Sequence, residues 1–160
     1  FAPEFCFFNK FKRQKNIEYY SADLTSQRAK LKIDMMDIKI PDHSFDVIIS
    51  SHVLAHVDDD LKALKELYRI QKKDSWSIHL NPINYSIKST FSDPKANSPD
   101  DRQKAYGHYD QKRVYGSDYK ERLESAGFNV EIHKVEDFCY EKEIEEMGLK
   151  KGFNIFICKS

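Results

Sequence analysis

The hydrophobic pattern of the chain changes period several times. Asn16 to Ala22 (NIEYYSA) is a β-prone run ending at Asp23, and Leu31 to Asp34 (LKID) alternates apolar and polar as a half-buried strand does. After the turn signal IPDHS comes Phe45 to Ser50 (FDVIIS), whose continuous Val47-Ile48-Ile49 centre predicts a strand covered on both faces. From Asp58 the spacing becomes helical: Leu61, Leu64, Leu67 and Tyr68 form an apolar stripe with Lys62, Lys65 and Glu66 opposite. The acids Asp58, Asp59 and Asp60 supply an N-cap and complement the positive end of the helix dipole. Trp76, Ile78 and Leu80 alternate again. Val130 with Ile132, and Phe153, Ile155 and Ile157, predict two more strands around an acidic helical insert, EKEIEEM. Ser117 to Ala126 reads as a capped helix stopped by Gly127. Strands alternating with helices predict an α/β fold, a doubly wound and mostly parallel sheet in one domain.

Residues 84–115 break this rhythm. They are polar, carry Pro and Ser, and lack a sustained apolar stripe, so they are expected to form a lid or acceptor-binding segment. Within them Ser98-Pro99-Asp100-Asp101 predicts a short helix: a cap, a proline in the first turn, and acids.

Composition narrows the function classes. Lys plus Arg equals Asp plus Glu at 26 each in 160 residues, so no net positive field exists to attract a phosphate backbone or an anionic membrane. No nucleic-acid partner and no membrane partner is expected. Cys6, Cys139 and Cys158 are odd in number and widely spaced, which suits buried thiols in a reducing compartment and a cytoplasmic location. No apolar run approaches the ~20 residues needed to span a bilayer. The start, FAPEFCFFNKFK, has neither an initiator Met nor a signal-peptide layout, from which an N-terminally incomplete sequence is expected. The five glycines all lie at or after Gly107, so the first two thirds can hold neither a P-loop nor a GxGxxG turn.

In doubly wound sheets, ligands bind beyond the carboxyl ends of the strands. That rule selects Asp23, Asp34 with Met35, and Ser51 with His52 as rim residues. In SSHVLAHVDDDL, residues 50–61, His52 and His56 stand four apart, as in a zinc protease. Val53 occupies the place of the general-base glutamate, so no metal site is expected, and the spacing also suits a turn from strand to helix. A carboxylate such as Asp23 can accept from both hydroxyls of a ribose, and one such as Asp34 from an adenine amino group.

The run DMMDIKIPDHSFDVIISSHVLAHVDDDLKALKELYRI resembles the central block of small class I S-adenosylmethionine-dependent methyltransferases, the methyltransferase type 11 group. RQKAYGHYDQKRVYGSDYKERLESAGFNV resembles a downstream segment of one subgroup. The resemblance implies a Rossmann-like, seven-stranded sheet with an antiparallel last strand, and methyl transfer from S-adenosylmethionine to a small-molecule acceptor, with S-adenosylhomocysteine as product. It further implies that Ala2, Pro3 and Glu4 form the loop after the first strand, that Asp23 holds the ribose with Leu24 beside the adenine, and that Asp34 and Met35 meet the adenine edge. Ser51 and His52 would lie beneath the methionine portion, with His52 as the candidate catalytic base. Tyr85, His108, Arg113 and Tyr115 are the candidate acceptor contacts.

Three departures from the pattern stand out: QKKDS replaces the usual glycine turn after the helix, Ala55 replaces a glutamate, and Gln111 a histidine. They motivate an alternative, a catalytically inactive methyltransferase-fold binding or accessory protein. An incomplete sheet would expose edges, from which a homodimer is a further expectation. A zinc hydrolase using His52 and His56 is the third reading.

Overall fold

The computed structural model describes residues 1–2 and 5–160, without the Cys6 side chain. Its elements in chain order are α1 (Phe5–Phe11), β1 (Ala22–Asp23), β2 (Leu31–Lys32), β3 (Phe45–Ser51), α2 (Asp60–Ile70), β4 (Gln71–Leu80), α3 (Pro99–Tyr106), α4 (Tyr119–Ser125), β5 (Asn129–Lys134), α5 (Glu141–Glu146) and β6 (Asn154–Lys159). A 3-10 turn, Val135–Asp137, follows β5. The strands form two sheets. One is the parallel pair β1-β2, the other runs β3-β4-β6-β5. Strands β3 and β4 are parallel, and β6 is antiparallel to both β4 and β5, so the last strand alone reverses direction in its sheet.

The resemblance implied seven strands in one sheet; the described residues form six in two. Between the sheets, the Phe1 N–H donates to the Ile49 carbonyl at 2.6 Å and the Ala2 N–H donates to the Ala22 carbonyl at 3.0 Å. Phe1 and Ala2 thus occupy a strand position between β1 and β3. Beside them a groove of about 520 Å³ opens, lined by Phe7 and Phe11 of α1 and by Phe45, Val47 and Trp76 of the sheet. Val47 and Trp76 are paired in register and are 43% and 40% exposed.

The opposite face of the sheet is closed. Ala63, Leu64, Leu67 and Ile70 of α2 and Tyr119 and Leu123 of α4 form one core cluster with Ile48, Val130, Phe156 and Cys158. Helix α2 begins where the acidic run predicts, with Asp59 as N-cap accepting from the Lys62 N–H at 2.9 Å. It ends directly in β4, with no glycine turn. The chain turns instead within QKKDS, where Phe45 pairs with Gln71 but Val47 pairs with Trp76, a bulge that loops out the intervening residues. Asp74 adopts the left-handed conformation, φ 58°, that glycine would have taken. The Ser75 hydroxyl donates to the Lys72 carbonyl at 2.5 Å and the Gln71 amide to the Ser75 carbonyl at 3.1 Å, which closes the bulge. At the end of α4, Gly127 has φ 115°, and a Cβ there would sit 3.0 Å from the Tyr68 ring. Glycine is needed at that turn on both counts.

Residues 84–118 are tightly laced. Ile83 bridges to Tyr115 and Phe91 to Val114, and the N–H groups of Ser117 and Asp118 donate to the carbonyls of Ile87 and Lys88. Helix α3 has the cap its sequence announced, and Ser98 and Asp101 complete it as a capping box. No helix among the described residues is long and apolar enough to cross a membrane.

Candidate cofactor and acceptor site

Each rim residue is placed by the end of a strand. Asp23 closes β1, and its Oδ1 accepts from the backbone N–H groups of Thr25 at 2.9 Å and Ser26 at 2.7 Å. Asp34 follows β2, and its Oδ1 accepts from the Met36 N–H at 2.8 Å. In both carboxylates one oxygen is fixed by backbone donors, while Oδ2 has no hydrogen-bond partner among the described residues. This fits the diol and amino donors of an adenosine, because the acceptor is pre-oriented before the ligand arrives.

Ser51 is buried at the end of β3, and His52 next to it is exposed with φ 56°. The His52 N–H donates to the Leu80 carbonyl at 2.8 Å, so the left-handed turn still continues the register of β4 before leading the chain out of the sheet. Ala2 has φ 50°. Two non-glycine residues in this costly conformation flank the carboxyl end of β3, which is where strain tends to be retained for function. Leu24 is exposed and free to lie beside a ligand. Pro3 and Glu4 lie outside the described residues.

Some expected contacts fall elsewhere. The Met35 side chain is 3% exposed and belongs to the core cluster, so only its backbone can meet an adenine edge. Arg113 and Tyr115, expected at the acceptor, are buried around Asp60. Arg113 donates to the carbonyls of Leu54 and Asp58, and its Nε lies 3.5 Å from Asp60. The Tyr115 hydroxyl donates to Asp60 Oδ2 at 3.1 Å, and Arg122 engages both Asp60 oxygens, at 3.1 and 2.7 Å. Burial, with Asp60 as acceptor, pushes the Tyr115 hydroxyl far above its ordinary range and keeps it a donor. Their residue types suggested ligand chemistry; burial commits them to the fold. Tyr85 is exposed and accepts from the Asn154 amide at 3.1 Å, well along the chain from His108 and on a different loop.

The loop 53–58 and the segment 108–113 are stapled together at the carboxyl end of β3. The Lys112 N–H donates to the Ala55 carbonyl at 2.8 Å, and the Lys112 ammonium pairs with Asp58. Across this seam His56 Nδ1 lies 3.2 Å from the Asp110 carboxylate and also 3.2 Å from the Asp110 carbonyl. The His108 ring stands edge-on to His56, with centroids 5.8 Å apart, and stacks on Tyr109 at 4.6 Å. The geometry thus gives His56 an oriented ring. Its only signal in the sequence is the HxxxH spacing itself, since Asp110 is 54 residues away. No group of three or more His, Cys, Asp or Glu residues that could hold a metal occurs among the described residues.

Residues 10–78 match a family model described as a methyltransferase domain. This stretch contains Asp23, Asp34, Ser51 and His52. A SAM-dependent methyltransferase from Archaeoglobus fulgidus matches with 17% identity and a TM-score of 0.56, covering 97% of this chain and 81% of that one. This is the fold of class I methyltransferases. The S-adenosylmethionine dependent methyltransferase from Mesorhizobium loti aligns at 14% identity and TM-score 0.50, over 87% of this chain and 78% of its own. A SAM-dependent methyltransferase from Thermotoga maritima aligns at 22% identity and TM-score 0.47 over 79% of this chain. The chain spans 61% of the Thermotoga protein's length. No curated protein sequence matches the chain. The resemblance to class I S-adenosylmethionine-dependent methyltransferases, and the α/β sheet with its reversed last strand, are borne out.

Proposed function

We propose that this chain binds S-adenosylmethionine at the carboxyl ends of β1, β2 and β3 and transfers its methyl group to a small-molecule acceptor. The observation that carries the reading is the coincidence of two independent features. The methyltransferase-domain match spans residues 10–78, and within it Asp23 and Asp34 each present an unengaged, pre-oriented carboxylate oxygen at a strand end. Asp23 would hold the ribose hydroxyls, Asp34 and the Met35 backbone the adenine edge, and Ala2, Ser51 and His52 would face the methionine portion. The sulfonium supplies an already electrophilic methyl, so the protein's work is alignment of the acceptor and removal of its proton where it carries one.

Titration calorimetry with S-adenosylmethionine and S-adenosylhomocysteine tests this. Both are expected to bind, and Asp23→Ala is expected to weaken each by about tenfold or more through loss of charge-assisted hydrogen bonds. Failure of both ligands to bind the wild-type protein would overturn the proposal.

A further inference from the structure

We infer that His56, oriented by Asp110, takes the proton from the methyl acceptor, and that the acceptor is therefore a small molecule whose nucleophile is an N–H or O–H group. This rests on the methyl-transfer reading above. Three observations carry it. First, His56 Nδ1 is hydrogen-bonded to the Asp110 backbone carbonyl at 3.2 Å, a group that can only accept, with the Asp110 carboxylate as an ion-pair neighbour also at 3.2 Å, so Nδ1 is the ring atom that carries hydrogen and Nε2 is left as a bare lone pair. An imidazole backed by a carboxylate on one nitrogen is the arrangement that lets the other accept a proton and stabilises the cation that forms.

Second, the ring is fixed from several sides. Its loop is held by the His56 N–H bond to the Val53 carbonyl at 2.9 Å and by the Arg113 and Lys112 bonds to Leu54, Asp58 and Ala55. His108 closes one side edge-on, and its Nδ1 accepts from the Asp110 N–H at 3.3 Å, which positions Asp110 in turn. The charged and titratable groups around the ring are Asp110, His108, and the Asp58–Lys112 pair. Third, the His56 side chain is 28% exposed, so a ligand and solvent can reach it. His52, the expected base, is exposed, and its ring makes no hydrogen bond or ion pair among the described residues.

The step balances without further reactants. The acceptor lone pair forms the new bond to the methyl carbon, the S–CH3 pair leaves with sulfur as a neutral thioether, and the acceptor proton passes to His56 Nε2. The imidazolium, held by Asp110, later returns that proton to water.

The test begins without any acceptor. In a 15N-histidine NMR spectrum of the full chain near pH 8, with His56→Gln used to assign the signal, His56 is expected as the Nδ1–H tautomer, the minor form of free histidine. An Nε2–H tautomer would overturn the inference. Next, purified protein and radiolabelled S-adenosylmethionine are offered a panel of small amines and phenols. For the compounds that the wild type methylates, His56→Gln is expected to lower kcat at least a hundredfold while the calorimetric Kd for S-adenosylmethionine stays within twofold. Undiminished turnover would overturn the inference. Asp110→Asn is expected to lower kcat about tenfold and to change the pH profile, which a purely structural role would not do. If the wild type does not bind S-adenosylmethionine, the methyl-transfer reading itself fails, whereas an Nε2–H tautomer in a protein that binds it removes only His56.

Discussion

His79 offers the sharpest quantitative test of the fold. It is 1% exposed, near the carboxyl end of β4, with Ser50 Oγ 2.9 Å from Nδ1 and Ser77 Oγ 3.0 Å from Nε2. The Phe128 ring lies against it at 5.4 Å. A neutral imidazole has one donor and one acceptor, and the two hydroxyls satisfy both. A protonated ring would carry a buried charge with no carboxylate beside it among the described residues. Burial accordingly pushes the His79 pKa from 6.5 down to about 3. The unfolded chain, with its ordinary histidine, binds the proton first as pH falls. This stabilisation is therefore complete above pH ~6.5 and is lost progressively between there and pH ~3. At ~1.36 kcal/mol per unit, the contribution lost is about 2 kcal/mol between pH 7 and pH 5, and about 3 kcal/mol by pH 4. The assay is urea unfolding of wild type and His79→Gln at pH 7, 6 and 5. The variant starts less stable because it disturbs a packed position, but its stability should fall by about 2 kcal/mol less than the wild type's over that range. Parallel curves would refute the buried neutral histidine.

Three further outcomes follow from the same structure. Asp60→Asn leaves the Arg113 and Arg122 guanidinium groups without their buried countercharge and is expected to cost about 3–5 kcal/mol in urea unfolding; a cost under 1 kcal/mol would show that the network is solvated. At Gly116 a Cβ would sit 2.7 Å from the Ser89 carbonyl carbon, so Gly116→Ala is expected to undock residues 84–91 from 113–118 and to expose them first in hydrogen exchange. Asp74→Gly removes left-handed strain at the α2–β4 bulge and is expected to raise stability by about 0.5 kcal/mol, whereas Asp74→Val should lower it by about 1–2 kcal/mol, both read from thermal unfolding.

The elements that were legible in the sequence are those whose cause is local. Strand β3 follows from Val47-Ile48-Ile49, but the run predicted cover on both faces and Val47 is 43% exposed on the groove side; α2 follows from its stripe and its acidic cap, and α3 from Ser98 and Asp101. The run 16–23 was β-prone, yet only Ala22–Asp23 makes a ladder. Its aromatic residues are engaged elsewhere: Tyr19 packs on Phe8 and Phe11, and Tyr20 on Phe45. The three consecutive acids looked like one capping unit, but they divide their work. Asp58 pairs with Lys112, Asp59 caps the helix, and Asp60 gathers Tyr115, Arg113 and Arg122. Nothing near Asp60 in sequence encodes partners 53 to 62 positions away, so Arg113 and Tyr115 kept the look of ligand contacts. The rim carboxylates were legible because a strand end fixes them by a rule of topology rather than by a distant partner.

The three departures from the family pattern acquire separate physical meanings. The missing glycine turn is solved within the chain, since Asp74 takes the left-handed conformation and Ser75 and Gln71 close the bulge, at the end of β4 remote from the ligand-binding rim. It therefore says nothing against cofactor binding. Ala55 is 2% exposed, and its carbonyl accepts from Lys112, so this position now joins the loop to the segment 108–113. Gln111 lies in that same segment, between Asp110, which holds His56, and Lys112, which pairs with Asp58. The ionisable groups lost at positions 55 and 111 are thus replaced, along the same seam, by the His56–Asp110 and Lys112–Asp58 pairs. On the methyl-transfer reading proposed above, these pairs keep an oriented imidazole and a carboxylate along the seam that the two losses touch.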